Sequence, residues 1–324
     1  MRRILSNNRG VALILVILMI AVIIALTLQL NLSSRSEVYE AANLRDGIKL
    51  LYIAKSGLYG GETFLIEDSN NFDSLNEDWA NLELISAGSS AFFDEGHFML
   101  NITDESGKIP INQLVKDGGY SSDIEDVLIR FLTLPEFNLD EHQAGDIIDA
   151  VKDWIDEDDE ITGFGAENMY YEDLDPPHSC KNGPLDSVDE LLMIKGITRA
   201  LYYGTGETPG IREYLTVYGT GTININTAPG LVLMALSDEI TGEMVSNMEE
   251  FRKDEQNNLS DPSWYNDVPG MDGITIPSAL ISVKSDTFNI ISTGVLNNMS
   301  KRISSVVKRN SGKKTVQILS WKVD

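Results

Sequence analysis

The chain has 324 residues, with 50 acidic against 25 basic side chains and a net charge of −25. A field of that sign repels nucleic-acid phosphates and draws cations, divalent metals among them. The single cysteine, Cys180, rules out an intrachain disulfide, and His97, His142 and His178 are too scattered for a zinc site of ordinary spacing.

Arg2, Arg3 and Arg9 precede Gly10, and no charge follows from Val11 to Ser34; between Val11 and Leu28 the only polar residue is Thr27. A run of about 18 or more apolar residues is long enough to cross a bilayer as a helix, and the basic flank sets its start in the cytoplasm. A cleaved secretory signal fits poorly, because Leu26 to Leu32 places large residues where signal peptidase needs small ones. From Glu37 to Phe64, the residues Val38, Leu44, Ile48, Leu51, Ile53, Leu58 and Phe64 recur at helical intervals. The first proline is Pro110, so the helix is expected to continue beyond the membrane, with Gly60-Gly61 a place to bend or end it.

Phe98 to Ile102 reads as a strand, followed by a turn at Asp104 to Gly107 and by Lys108 to Asn112. Helical spacing then covers Ile124 to Leu134, Glu141 to Ile155, Val188 to Ile194 and Thr198 to Tyr203. A second helical pair is expected at Ala228 to Leu236 and Ile240 to Lys253, with Thr227 as N-cap and Pro229 early in the helix. Glu255 to Gly273 reads as loop. Three β-rich runs close the chain, Thr287 to Leu296, Lys301 to Val307 and Thr315 to Val323, with turns at Asn297-Asn298 and Asn310-Ser311-Gly312.

Carboxylates crowd the end of the Glu141 to Ile155 helix: Asp153, Asp156, Asp158, Asp159 and Glu160, with Glu167 after Gly163 and Gly165. Oxygen ligands at alternate positions on a glycine-loosened turn suit calcium. Counted from Asp156, acids fall at positions 1, 3, 5 and 12 of an EF-hand-like loop (Asp156, Asp158, Glu160 and Glu167), but Ile161 stands where that loop needs glycine. The expectation is therefore a calcium loop of different geometry; an uncompensated acidic turn would oppose the helix dipole. A second ion would use Glu172, Asp173 or Asp175.

Leu191 to Thr198 has the look of a helix-hairpin-helix, whose glycine amides grip DNA phosphate. Thr198 replaces its second glycine, and Asp186, Asp189 and Glu190 outnumber Lys195 and Arg199, against the positive charge DNA binding needs. No nucleotide fingerprint or Ser/His/Asp order points to an enzyme, and Cys180 has no basic cluster to lower its pKa.

The short basic leader ending in Gly10 and running into an apolar helix resembles the type IV pilin and pseudopilin class. That resemblance implies cleavage by a prepilin peptidase between Gly10 and Val11, with Val11 becoming a methylated first residue and the mature charge −28 (50 acidic, 22 basic). The fifth mature residue is Leu15, where most of the class has glutamate. Lack of that acid is a mark of the K-type minor pseudopilin of type II secretion systems. Asp153-Trp154-Ile155-Asp156-Glu157-Asp158 resembles the D-W-x-D-x-D run of this family. Gly165-Ala166-Glu167, Tyr170-Tyr171, Asn182 to Ser187 and Ile223 to Pro229 resemble its later segments in the same order.

The resemblance implies an α+β pseudopilin fold: a long N-terminal transmembrane helix, a small antiparallel sheet and a large inserted α-helical domain. The expected division is a leader at 1–10, the membrane helix at 11–33, a pilin-like helix and first strands at 34–112, the inserted helical domain at 113–222, and a second helical pair with the C-terminal strands at 223–324. It further implies a non-enzymatic tip subunit that initiates or caps the pseudopilus. Such a subunit sits in the inner membrane by a single pass with its C-terminal domain in the periplasm, beside the I- and J-type minor pseudopilins and the other fibre subunits. One or two calcium ions are expected, on Asp153, Asp156, Asp158, Glu160, Glu167 and Asp173; the family carries two in some members. The alternative is a membrane-anchored helix-hairpin-helix protein for DNA uptake; nucleic acid is otherwise not an expected partner.

Overall fold

The computed structural model describes residues 9–116 and 119–324, so Arg2, Arg3 and most of the leader segment lie outside the described residues. Helix α1 (Arg9–Glu67) is a single rod of 59 residues, roughly 90 Å long at 1.5 Å per residue. From Gly10 to Ala41 every residue is exposed, and this stretch is long and apolar enough to cross a membrane. Beyond it the helix changes partner. Leu50, Ile53, Ala54, Leu58 and Leu65 are buried, an apolar stripe at helical spacing laid against a sheet.

Gly60-Gly61 does not interrupt α1. Gly61, and Gly57 one turn earlier, instead let the helix lie close on the strands. A Cβ at Gly61 would stand 3.0 Å from Ile290 Cγ2, and one at Gly57 would drive into the Ser292 hydroxyl and the Phe98 ring. Gly60 faces open space.

After α1 come the short helix α2 (Glu83–Gly88) and strand β1 (His97–Asp104). The chain then leaves the sheet for a long excursion. Two-residue strands β2 (Ile109–Pro110), β3 (Val115–Lys116) and β4 (Gly119–Tyr120) lead into α3 (Ser122–Leu132), α4 (Glu141–Ile155), α5 (Asn168–Tyr171) and α6 (Arg199–Tyr203). Short strands β5 (Leu215–Thr216) and β6 (Ile223–Asn224), helices α7 (Gly230–Met234) and α8 (Gly242–Lys253), and β7 (Ile281–Ser282) complete it. Strands β8 (Thr287–Leu296), β9 (Met299–Asn310) and β10 (Thr315–Val323) return to the sheet, whose antiparallel order is β1-β8-β9-β10. Asn297, at φ 53°, turns the two-residue hairpin between β8 and β9.

Two apolar cores result. One joins Ile53, Leu58, Leu65, Trp79 and Leu82 to the sheet residues Phe98, Leu100, Ile102, Phe288, Ile290, Ile303 and Val307. The other draws on Ile109 through Val283, so α7 and α8 share a core with α3 and α4. The boundary expected at 222/223 therefore runs through one core, and Arg130 of α3 reaches across it, donating to the Ala235 carbonyl at 2.9 Å and pairing with Asp238 at 3.0 Å.

Two local expectations need correction. Val188–Met193 is a 3-10 helix, held by a Ser187–Glu190 capping box, where an α-helix was expected. Thr227 does not cap α7; Pro229 is the N-cap residue, and the Thr227 hydroxyl donates to Asp104 at 2.6 Å. That bond belongs to a buried seam where the excursion leaves the sheet. Asp104 also accepts from the Ser285 hydroxyl, from the Ser106 N–H at 2.7 Å and from Asn224 Nδ2 at 3.3 Å. Asn226 seals the next turn, donating to the Leu259 carbonyl and accepting from Trp264 Nε1.

Candidate metal centre

Helix α4 starts in a capping box in which Asp140 accepts from the Gln143 N–H and the Gln143 side chain accepts in return. Its apolar stripe, Ile147, Ile148, Val151, Trp154 and Ile155, carries Asp153 into the buried side of the last turn. Asp156 is the C-cap, and its extended backbone (ψ 170°) leads the chain off the helix. Lys152 Nζ ties this exit down, donating to Asp156 Oδ2 at 2.8 Å and to the Thr162 hydroxyl at 2.6 Å. The loop then folds back over α4. Thr162 N–H donates to Asp153 Oδ1 at 3.0 Å and Phe164 N–H to Asp149 Oδ2 at 3.0 Å. Gly163 is left-handed at φ +49°, and a side chain at Gly165 would collide with the Asp153 carboxylate.

This return brings Asp156, Asp158 and Glu167 together, each with an oxygen within 4.8 Å of the others. Asp156 and Glu167 are buried and Asp158 is exposed. Asp153 Oδ2, Asp156 Oδ1, both Glu167 carboxylate oxygens and Asn182 Oδ1 are all buried without a hydrogen-bond donor. Burial, and then the neighbouring Asp153 and Asp156 carboxylates, push the Glu167 acid up to about 7; burial also raises Asp153. Buried acceptors almost always find a partner, and like charges at this spacing repel. An oxygen-seeking divalent cation answers both conditions, so these residues fit one.

The other anticipated ligands lie outside this trio. Glu160 and Asp173 are exposed; Glu160 contributes its N–H, which donates to Asp158 Oδ1 at 2.8 Å. Asn182 was not anticipated as a ligand. Its side-chain NH2 holds the Asp158 carbonyl at 2.7 Å, and its φ of 48° suits the Asn-Gly pair that turns the chain there.

A second acidic group, Asp68, Asp73 and Glu77, also brings its oxygens within 4.8 Å. It differs in chemistry because its charges already have donors. Arg309 contacts Asp68 and Asp73 at 2.5 Å each, Ser285 N–H donates to Asp73 Oδ2, and Glu77 accepts from Asn70 and Trp79. Only the α4 group leaves a cluster of carboxylate oxygens unmet among the described residues.

The hairpin at Leu191 to Thr198 packs instead of gripping. Gly196 (φ +87°) would set a Cβ 3.0 Å from Ile147 on α4. Lys195 Nζ is engaged by the carbonyls of Phe164 and Gly165, at 2.8 and 3.0 Å, which fastens the acidic loop. Gly10, Val11 and Leu15 lie in the exposed first turns of α1.

Comparison with known proteins gives a consistent answer. A family described as type II secretion system (T2SS), protein K, matches residues 107–205, the stretch that holds α3, α4 and the acidic loop. Type II secretion system protein K of Aeromonas hydrophila is 25% identical, across 95% of both chains. A putative type II secretion system protein K of Escherichia coli strain K12 is 24% identical over 68% of this chain and 66% of its own. The solved GspK-GspI-GspJ complex of enterotoxigenic Escherichia coli contains a chain that aligns with a TM-score of 0.70 at 16% identity, covering 88% of this chain and 99% of that one; this likeness speaks to the fold. The acidic loop lies inside the matched stretch and the Aeromonas protein aligns almost from end to end, so the chain is similar along its length to type II secretion system protein K.

Proposed function

We propose that this chain is a minor pseudopilin that stands at the tip of the pseudopilus, where it starts or caps the fibre. The observation that carries the reading is the pairing of a membrane stretch of α1 that holds no acid from Val11 to Ser34 with a bulky excursion. An ionisable group in hydrocarbon costs roughly 2.5–3.5 kcal/mol on insertion scales and is retained when it has a partner. A subunit at the end of a fibre has no neighbour above to supply one, and Leu15 occupies the position where a glutamate would sit. The two-core body, with its second core built from Ile109 to Val283, is also hard to stack repeatedly along a shaft.

In this reading a prepilin peptidase cuts between Gly10 and Val11, and the mature amine is methylated. Helix α1 crosses the inner membrane once, and the body lies in the periplasm beside the I- and J-type minor pseudopilins and the remaining fibre subunits. The crystallised relative in complex with GspI and GspJ supports that choice of partners. No catalytic role is proposed. The ion at the α4 loop is calcium, held by Asp153, Asp156, Asp158 and Glu167 with Asn182 beside them, and its role is to fix the loop. A second ion would take Asp173 with Glu172 or Asp175, and Glu160 stays at the solvent side of the first.

Immunogold labelling of pseudopili tests the position: label at one end of each fibre is expected, and label spread along the shaft overturns the proposal. Mass spectrometry of the mature N-terminus should find Val11; retention of Arg2 and Arg3 would reduce α1 to a plain anchor.

A further inference from the structure

The two edges of the sheet are treated differently. Along β1, serine hydroxyls stand in for a missing strand. Ser89 Oγ accepts from Phe98 N–H at 3.0 Å and donates to the Phe98 carbonyl at 2.9 Å; Ser86 Oγ does the same for Leu100, at 3.0 and 3.4 Å. That edge is closed, as exposed edges usually are.

Strand β10 has no such cover among the described residues. Every residue of it except Val316 is exposed. Arg302 and Asp324 exchange both backbone bonds, at 3.1 and 2.9 Å. The antiparallel alternation then turns the N–H and C=O groups of Trp321 and Val323 away from β9. On the face toward α1, Val316, Ile318, Trp321 and Val323 pair with Arg309, Val307, Ser305 and Ile303. Helix α1 covers the β9 row, leaving Ile303 and Val307 fully buried, but it reaches β10 only at Val316 and through Lys55, whose Nζ lies 5.9 Å from the Trp321 ring. Ile318, Trp321 and Val323 remain 48%, 37% and 41% exposed. An open hydrogen-bonding edge thus runs beside an uncovered apolar row.

Charge narrows the occupant. Residues 299–324 carry seven basic side chains against Asp324 alone, a net +6, while the rest of the chain stands at −31. The face of the β9–β10 hairpin away from α1 presents Lys308 and Lys322, opposite Gln317 and Ser304; their pairs with Asp286, at 3.0 Å, and Asp324, at 3.6 Å, are solvent-exposed and weak enough to exchange for an incoming acid. We propose that β10 receives an extended strand from a different chain, with apolar residues alternating with acidic ones, so that the sheet gains a fifth strand. Backbone groups of Trp321 and Val323 bond the incoming strand. Its apolar residues cover Ile318, Trp321 and Val323, and its acids face Lys308 and Lys322. Two copies of this chain meeting edge to edge would oppose hairpins of the same sign, which disfavours self-pairing. The inference does not depend on where along the fibre the subunit sits.

The test uses the full-length protein in cells that assemble the secretion machinery. A benzoylphenylalanine photo-crosslinker replaces Leu319, at the β10 bulge, or Leu84, on the closed side. Val323→Pro removes an outward N–H without touching the β9 ladder, and Lys308→Glu with Lys322→Glu reverses the charge that the incoming acids would meet. The expected result is an adduct from position 319 with another protein, mapped to an alternating apolar and acidic peptide, and reduced at least tenfold by each variant. Charge reversal keeps the test decisive should the proline variant fold poorly. An adduct of twice the chain's own mass, an equal yield from position 84, an adduct unmoved by both variants, or no adduct at all overturns the proposal.

Discussion

Replacing Glu167 with Gln separates a metal site from an acidic turn that merely tolerates its charge. In the metal-free protein the Glu167 acid is lifted from 4.5 to about 7 by burial and by Asp153 and Asp156. At pH 8 that corresponds, after a discount for solvent screening, to a penalty on the order of 2–3 kcal/mol for holding the carboxylate in place. Glutamine keeps the shape and removes the charge, so in chelator the variant should melt higher than the parent. For a unit of this size each kcal/mol moves the midpoint by roughly 2–4 °C, which makes the rise about 5–10 °C. Calcium at a hundred times its dissociation constant should stabilise the parent by about 2.7 kcal/mol and the variant far less. Differential scanning calorimetry of the full-length protein in detergent, with EGTA or calcium, reads both effects. A variant that melts lower in EGTA yet gains as much from calcium as the parent would refute the reasoning.

In EGTA the parent's own midpoint should fall as pH rises from 5 to 7.5. The unfolded acid loses its proton near 4.5 while the folded Glu167 keeps it until about 7, so stability drains across that window; calcium should flatten the trend, and a midpoint that climbs in EGTA would contradict it. Gly57→Ala should cost about 1–3 kcal/mol through its clash with Ser292 and Phe98, whereas Gly60→Ala, facing open space, should be neutral or stabilising by up to about 1 kcal/mol; denaturant melts separate the two. Asp104→Ala leaves the hydroxyls of Thr227 and Ser285 and the N–H groups of Ser106 and Asn224 without their buried acceptor, an expected loss of about 3–5 kcal/mol by urea titration.

Legibility in the sequence followed the reach of each interaction. The membrane-length run, the continuation of α1 and the closing strands declare themselves through local periodicity, and Thr287–Leu296 was read with the ends the strand has. Asp156, Asp158 and Glu167 were visible because the chain curls back on itself within a dozen residues. Asn182 was not, since its place depends on a turn well downstream. Gly57 and Gly61 could not be understood locally either: what makes them necessary is Ser292, Phe98 and Ile290, supplied by strands far along the chain. Thr227 looked like a helix cap because hydroxyls usually serve that purpose there; its bond to Asp104 spans 123 positions and leaves no periodic trace. The same distance hid the shared core that joins α7 and α8 to α3 and α4.

The excursion departs after Asp104 and returns at Thr287, and Asp104 lies opposite Phe288 on adjacent strands. A graft whose two stems emerge side by side imposes no strain on its host. Its bulk could therefore grow, shrink or be trimmed to a tight hairpin while α1 and the four strands kept their geometry. The rod with its sheet and the body they carry are thus separable parts, each able to change without disturbing the other.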